Sequence, residues 1–256
     1  MKIKFIGTGS GKSSLKRYHS AFIISCGSFN LLVDAGDGVS RALLKQQISF
    51  NSIHGILISH LHPDHYSGIG SLLVQMKLNK REHPLKIFVH SSLAQHVEKF
   101  IHQSYLFEEK LGFEINIEKF NYDEFKDVQE NFSFMARENT HLKSNITYAG
   151  NAGLSISCSS FLFNIDNKTL YYSGDIGDKE DLYLFNDFSI NVMISEITHV
   201  KFDEVFETLK FLNPEKLFFT HISEEDEADC RKLGENLPEQ LKDKIIIAAD
   251  GMLVNV

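Results

Sequence analysis

Three histidines and an aspartate lie close together in the segment ILISHLHPDHYSG, directly after an apolar run that predicts a buried strand: His60, His62, Asp64 and His65. Because alternate residues of an extended chain point the same way, His60 and His62 can converge on one ion. The turn at Pro63 aims Asp64 and His65 elsewhere. Imidazole with carboxylate is a zinc-type ligand set, and it lacks the thiolates of a closed structural site. The segment therefore predicts a metal site.

Further residues of the same kinds follow other apolar runs, at Asp34 (LLVDAGDG), His141 (ENTHLKS), Asp175 (LYYSGDIG) and His221 (KLFFTHIS). Each has an ordinary alternative. The aspartates could be turn residues, and the two histidines could be satisfied polar side chains. Their joint occurrence at predicted strand ends favours one shared site.

These motifs resemble the metallo-β-lactamase superfamily, whose HxHxDH motif is matched without gaps. The resemblance covers nearly the whole chain and implies a four-layer αββα sandwich with metals at the edge of the sheets. It also implies two sets of metal ligands: His60, His62 and His141 for one ion, and Asp64, His65 and His221 for the other, with Asp175 bridging both. Asp34 would support the site without binding metal.

The charges of these ligands are compatible with two bound divalent ions. Five neutral imidazoles and two carboxylates leave such a pair with residual positive charge, so a water between the ions should ionise near neutral pH and give a bridging hydroxide. Zinc is favoured for an imidazole-rich set, with manganese or iron as alternatives. The site suits hydrolysis.

Within the superfamily, the segments GTGSG, DAGDG, SGDIG and THIS are similar to ribonuclease Z and related phosphodiesterases. This similarity implies hydrolysis of a phosphodiester in a nucleotide, RNA or small organophosphate. Carboxylic ester, lactone or thioester hydrolysis in the same site stays open. So does a metal-binding protein without turnover.

One departure concerns the His-Glu-Ala-Thr motif of ribonuclease Z, whose histidine is thought to donate a proton. Here Ser195 takes the histidine position, Glu196 and Thr198 are retained, and His199 follows. The predicted catalytic residues are Asp64, Glu196 and His199, with His199 taking over proton transfer to the leaving oxygen. The alternative is an incidental surface histidine, because a side chain four positions along need not reach the site.

The N-terminal segment GTGSGKS nearly matches a P-loop, but Ile6 stands where the motif requires its first glycine. The chain then continues into another strand-like run rather than a helix. We therefore expect a tight glycine turn between the first two strands. Any phosphate that Lys12 contacts would belong to the substrate.

The elements that must position these residues alternate between strands and helices. Predicted strands are 2–6, 21–25, 30–34, 54–59, 85–90, 154–165, 168–174, 190–195, 216–221 and 244–249. Apolar spacing predicts helices at about 66–79 and 202–212. The aromatic-rich stretch 103–150 predicts either core strands or a lid. One α/β domain over residues 1–256 is expected.

Composition sets the remaining expectations. A net charge of -8 argues against a sequence-indifferent nucleic-acid coat protein. Two short basic clusters are either solvated surface or an aid to phosphate binding: Lys12, Lys16 and Arg17, and Lys77, Lys80, Arg81 and Lys86. Three scattered cysteines and the absence of a signal-peptide pattern favour the cytoplasm. The substrate would be a small molecule or a nucleic acid, with no membrane partner. A homodimer stays open.

Overall fold

The computed structural model describes residues 1–256 apart from the side chain of Gln240. Strands, numbered in chain order, form two seven-stranded sheets. The first sheet has the spatial order β14-β1-β2-β3-β4-β5-β6. Its strands are β1 (Lys2–Gly7), β2 (Ala21–Cys26), β3 (Phe29–Val33), β4 (Gly55–Leu57), β5 (Leu85–His90), β6 (Ile115–Phe120) and β14 (Leu253–Asn255).

The second sheet has the spatial order β13-β12-β11-β10-β9-β8-β7. Its strands are β7 (Phe125–Gln129), β8 (Phe132–Glu138), β9 (Ser159–Ile165), β10 (Lys168–Tyr172), β11 (Val192–Glu196), β12 (Lys216–Thr220) and β13 (Ile245–Ile247). In each sheet four neighbouring strands run parallel, β3 to β6 and β10 to β13. The carboxyl ends of parallel neighbours meet at one edge of a sheet.

Helices cover the outer faces of the two sheets. They are α1 (Val39–Lys45), α2 (Pro63–Tyr66), α3 (Ile69–Leu78), α4 (Ala94–Gln103), α5 (Glu108–Leu111), α6 (Ile146–Asn151), α7 (Phe202–Leu212), α8 (Glu227–Asn236) and α9 (Glu239–Lys242). One apolar cluster joins the first sheet to α1, α3 and α4, and another joins the second sheet to α7 and α8. Among the described residues, no helix has both the length and the apolar character needed to cross a membrane.

Phenylalanine fills the space between the two sheets. Buried rings from the first sheet meet buried rings from the second in one cluster that includes Phe5, Phe88, Phe134, Phe161 and Phe218. Large rings bury much apolar area per residue and interlock edge to face, as Phe88 and Phe134 do at 5.8 Å between ring centroids. The four layers confirm the predicted αββα sandwich.

Several sequence predictions are confirmed at the level of elements. The helix predicted at 202–212 is α7, and it ends at Asn213, as expected before Pro214. In the 103–150 stretch, Phe120 of β6 and Phe132 and Phe134 of β8 are buried, as core strands require. The helix predicted at about 66–79 is confirmed as α3, with Ile69, Leu72, Leu73 and Met76 buried, although it begins three residues later than expected.

Two local predictions are wrong. The strand predicted at 154–165 begins only at Ser159, and residues 154–157 run as an irregular segment along a cavity. The tight glycine turn expected between the first two strands is instead a long loop, residues 8–20. Within it, Gly9 forms β-bridges with both His19 and Ile222.

Candidate metal centre

The carboxyl ends of strands from both sheets bring the predicted ligands together. His60, His62, Asp64 and His65 follow β4 of the first sheet. The other ligands follow β8, β10 and β12 of the second sheet: His141, Asp175 and His221. The centre therefore lies where the edges of the two sheets meet, and each sheet contributes about half of it.

One group of possible ligand atoms comprises His60, His62, His141 and Asp175, all within 4.8 Å of one another. The Nδ1 atom of His62 lies 3.2 Å from Nε2 of His141. A carboxylate oxygen of Asp175 lies 3.8 Å from the same Nε2 atom. This is the arrangement expected of side chains that surround one ion.

A second group comprises Asp64, His65, Asp175 and His221, again within 4.8 Å. Nε2 of His221 lies 3.1 Å from Asp64 and 3.3 Å from Asp175. Nε2 of His65 lies 3.2 Å from Asp175. Because Asp175 belongs to both groups, the two possible ion positions are neighbours that share one carboxylate.

The buried Nε2 atom of His60 has no hydrogen-bond partner, and Oδ1 of Asp175 has only the ring nitrogens of His65 and His221 near it, outside hydrogen-bond geometry. An unpartnered buried nitrogen or carboxylate oxygen costs about 1–3 kcal/mol or more unless something else binds it. Both residues belong to the donor groups, and imidazole nitrogen and carboxylate oxygen are ordinary metal ligands. The residues present therefore fit divalent metal ions.

Asp34 supports the centre from behind. Its Oδ2 atom lies 2.8 Å from Nδ1 of His65 and accepts hydrogen bonds from the hydroxyls of Ser59 and Tyr172. A carboxylate on the far nitrogen of a ligand histidine fixes the ring and its tautomer. Asp34 and His221 both have positive φ angles, 58° and 56°, directly after strand ends. This region strains a non-glycine backbone, and here two such residues lie at the centre.

The segment after β11 brings Glu196 and His199 to the same centre. Glu196 is buried and accepts hydrogen bonds from the backbone N–H groups of Ile176, Thr198 and His199. It also lies 2.8 Å from Nδ1 of His199. The His199 ring lies 4.8 Å from the His141 ring between centroids, with 35% of its side chain exposed. The backbone turns tightly after β11 and so places His199 beside the ligands. Ser195 is buried, and its hydroxyl donates a hydrogen bond to the Glu196 carbonyl.

Electrostatics divide the histidines into two kinds. Burial lowers the pKa of His60, His62 and His141, so these imidazoles stay neutral at neutral pH, the form that binds metal. Burial acts the same way on His65, but the carboxylates of Asp175 and Asp34 outweigh it and raise the pKa of His65 well above its usual value. When no metal is bound, a proton on His65 therefore supplies the positive charge that stabilises the carboxylates of Asp175 and Asp34.

The rim of the centre is formed by two loops. Ser10, Gly11 and Lys12 of the first loop face Glu225 and Asp226 of the second across a cavity of about 440 Å³ that also contains the ligands. Lys12 forms an ion pair with Glu225, and the side chains are 62% and 66% exposed. No helix follows Lys12, in agreement with the rejection of a P-loop.

The two basic clusters are partly used inside the fold. Arg81 is buried and donates to the carbonyls of Ile53, His83 and Pro84. Arg17 pairs with Glu227 and donates to the Ala248 carbonyl. These two arginines therefore stabilise loops.

Some supporting residues were not found from the sequence. Ser59 and Tyr172 lie inside predicted apolar strands, and nothing in their spacing distinguishes them. Thr198 is recognisable in the sequence only as part of a motif. Its hydroxyl lies 3.1 Å from Nδ1 of His221 and so orients that ring. Six other histidines belong to no group of possible metal ligands among the described residues: His19, His54, His83, His90, His96 and His102.

The fold and its donor groups define the class of the protein. The chain has a metallo-β-lactamase fold, like the YhfI protein of Bacillus subtilis, with a TM-score of 0.76, 18% identity, and coverage of 99% of this chain and 98% of that one. The human short-form tRNase Z gives a TM-score of 0.74 at 20% identity, covering 100% of this chain and 99% of that one. Within this class, the chain belongs to the family described as Anti-Pycsar protein Apyc1, whose model matches residues 1–236.

Curated relatives agree with the predicted ribonuclease Z-like branch. The chain is 28% identical over 152 residues to ribonuclease Z of Archaeoglobus fulgidus, which covers 58% of this chain and 47% of that protein. It is 35% identical over 114 residues to ribonuclease Z of Aeropyrum pernix, covering 44% of this chain and 36% of that one. The chain thus spans less than half the length of these relatives.

Proposed function

We propose that this chain is a metal-dependent hydrolase of phosphodiesters. The observation that carries the proposal is the pair of donor groups that share Asp175 and contain the unpartnered Nε2 atom of His60. The similarity to ribonucleases Z supports phosphodiesters over other esters as substrates.

We assign two ions to the centre, one held by His60, His62 and His141 and the other by Asp64, His65 and His221, with Asp175 between them. When bound, divalent ions supply activation of water and neutralisation of phosphoryl charge. Zinc is the default for this imidazole-rich set, and manganese or iron also suit it. Asp34 holds His65 in the orientation that points Nε2 at the ion.

We assign to His199 the role of general acid, which donates a proton to the leaving oxygen. Glu196 fixes Nδ1 of the ring, so Nε2 is free to face a substrate in the cavity. The hydrogen bond to Glu196 raises the pKa of His199, which favours the protonated, donating form near neutral pH. The four-residue offset from Ser195 is no obstacle, because the chain turns tightly around the Glu196 carboxylate.

A small phosphodiester suits the rim better than a long polyanion. Glu224, Glu225 and Asp226 stand at the second loop, and the whole chain carries a net charge of -8. Like charges of this kind repel an extended RNA backbone. Lys12 is a cation on the rim of the cavity. It can leave Glu225 and bind a substrate phosphate, because both side chains are largely exposed.

The test is a substrate panel on purified protein with added zinc or manganese. The panel contains bis-p-nitrophenyl phosphate, a nucleotide phosphodiester, a pre-tRNA with a 3′ trailer, a lactone and a thioester. We expect turnover of the first two and loss of at least 10³-fold in His62→Ala, as expected when a ligand of a catalytic metal is removed.

The matched control is His102→Ala, which changes an exposed histidine that belongs to none of the donor groups. It should retain full activity. Turnover of the lactone or thioester without any phosphodiester would overturn the assignment of substrate class. Stoichiometric metal with no turnover of any compound would indicate a metal-binding protein instead.

A further inference from the structure

Strand β6 forms an open edge of the first sheet. In the described chain it pairs with β5 alone, in a regular register from Ile115 to Phe120. The other three strands at the ends of the two sheets are less able to accept a further strand. β13 and β14 have three residues each, and the register of β7 shifts between Asp127 and Gln129. By contrast, β6 offers a long and regular edge.

The backbone of β6 directs hydrogen-bonding groups to this open side. The carbonyls of Glu114 and Phe120 accept hydrogen bonds from the β5 side. Because successive residues of a strand direct their backbone groups to opposite sides, Ile115, Ile117 and Lys119 face away from β5. Among the described residues, no loop or further strand bonds to the backbone of Ile117 or Lys119. These groups can therefore pair with a strand added beside β6.

The N–H of Ile115 shows how such a strand would be held. It donates to a side-chain oxygen of Glu108 at a distance of 3.0 Å. The Glu108 carboxylate thus occupies the place that a carbonyl of an added strand would take. Because Glu108 is exposed, an incoming peptide can displace it.

A groove of about 520 Å³ lies along β6, and all the strand residues from Ile115 to Lys119 line it. Side chains of a strand alternate between its two faces, so a space lined by consecutive residues follows the edge of the strand rather than one face. The opposite wall includes Glu98, Ile101 and His102, which lie on one side of α4. We call this space between strand and helix the β6 groove.

The β6 groove combines apolar and acidic side chains. Ile101 and Ile117 pack in the apolar cluster between the first sheet and its helices. Glu98 and Glu108 stand exposed on the lining, together with one lysine, Lys119. The third glutamate of the lining already pairs with a lysine of β7. The groove therefore favours a ligand that carries positive charge and has apolar side chains at alternate positions.

We propose that the β6 groove binds an extended, basic peptide segment of a partner protein, which joins the first sheet as a further strand beside β6. Backbone hydrogen bonds to Ile117 and Lys119 supply affinity, and alternate apolar side chains of the peptide contact Ile101 and Ile117. Lysine or arginine side chains of the peptide face Glu98 and Glu108. This surface is separate from the proposed hydrolysis, because none of its lining residues is an assigned metal ligand or proton donor.

The probe is a fluorescein-labelled heptapeptide in which lysine and valine alternate, and fluorescence anisotropy with the full chain measures its affinity. Two further peptides carry N-methyl groups on either all valine amides or all lysine amides. In a strand the amides of one residue type all point the same way, so only one methylated peptide loses its hydrogen bonds to β6. We expect that peptide to bind about tenfold more weakly and the other to bind like the parent. This comparison requires no change to the protein.

Two variants of the chain test the groove itself. Lys119→Pro removes an N–H that faces away from β5, so the sheet keeps its own hydrogen bonds. It should weaken binding about tenfold, whereas Lys119→Ala, which keeps the N–H, should not. Glu98→Lys should weaken binding about three- to fivefold. Its matched control is Glu235→Lys, which should bind like the wild type, because Glu235 is also exposed on a helix, α8, but lies outside the groove.

Thermal melting checks that all variants are folded, and their turnover of phosphodiesters should equal that of the wild type. Equal affinities of the three peptides, or binding that neither Lys119→Pro nor Glu98→Lys weakens, would overturn the inference. So would the absence of saturable binding of the parent peptide. Self-association of the chain that Lys119→Pro removes, measured by analytical ultracentrifugation, would assign the groove to a second copy instead.

Discussion

His199 and Glu196 form a pair in which a buried carboxylate fixes an accessible ring. Three backbone N–H groups and the His199 ring hold the Glu196 side chain in place. A side chain fixed this way donates its proton in a defined direction, which is what a leaving oxygen needs. The same ring packs on His141, so an effect on metal binding must be separated from an effect on proton transfer.

Leaving-group dependence separates these two effects. We predict that His199→Ala lowers kcat about 10²- to 10³-fold for a phosphodiester with an alkoxide leaving group. It should change turnover of bis-p-nitrophenyl phosphate less than about fivefold, because p-nitrophenolate leaves without a proton. Steady-state kinetics on both substrates gives the comparison.

Metal content provides the control for this prediction. His199→Ala should retain the metal measured by elemental analysis, whereas His141→Ala should lose part of it. Equal losses of rate on both substrates would show that His199 acts on something other than the leaving group.

At the scale of elements, the turns that follow the strands determine the geometry of the centre. Gly36 follows β3, and a Cβ atom there would lie 2.1 Å from the carbonyl oxygen of Asp64. Atoms at that distance overlap, so the backbone that carries Asp64 and His65 can come this close only to glycine. The packing of one turn on another therefore sets the position of two predicted ligands.

We predict that Gly36→Ala displaces α2, lowers the free energy of unfolding by about 2–4 kcal/mol and weakens metal binding, because the added methyl group overpacks a buried contact. Chemical denaturation and metal titration measure the two effects. Gly234→Ala is the matched control, since nothing lies within 4 Å of a Cβ atom there. Helix propensity should make that control neutral or slightly more stable. Wild-type metal affinity in Gly36→Ala would contradict this account.

The sequence was most informative where one short segment carries several donors. His60, His62, Asp64 and His65 could be recognised because a buried strand and a compact motif coincide, and parallel strands predict where their ends meet. The strand predicted at 154–165 failed at its start, because alternating apolar residues are also what lines a cavity. The hydrogen bond of Tyr172 to Asp34 joins positions 138 residues apart, and no local pattern encodes a contact at that separation.

At the scale of the whole molecule, the candidate centre joins two sheets whose facing surfaces form one apolar cluster. The first sheet provides His60, His62, Asp64 and His65, and the second provides His141, Asp175 and His221. Ions bound here would link the sheets at one edge. Binding to the folded state alone adds about 4 kcal/mol of stability at a free concentration a thousand times the Kd.

Metal removal should therefore lower thermal stability as well as activity. We predict that a chelator lowers the Tm by on the order of 10 °C and that zinc or manganese restores it. Differential scanning calorimetry measures the shift. His62→Ala serves as the control, because a centre that lacks one ligand should respond less to the chelator. An identical Tm with and without metal in the wild type would contradict two-sheet coordination.

The order of the ligands along the chain also affects synthesis. The first four emerge from the ribosome early, directly after β4, whereas His221 follows β12, close to the end of the chain. Since domains are made from the N-terminus onward, a nascent chain holds an incomplete set of donors until residue 221 is accessible. A centre that needs all seven donors would therefore be completed only late in synthesis, and an interrupted translation product would carry the HxHxDH motif without the complete set.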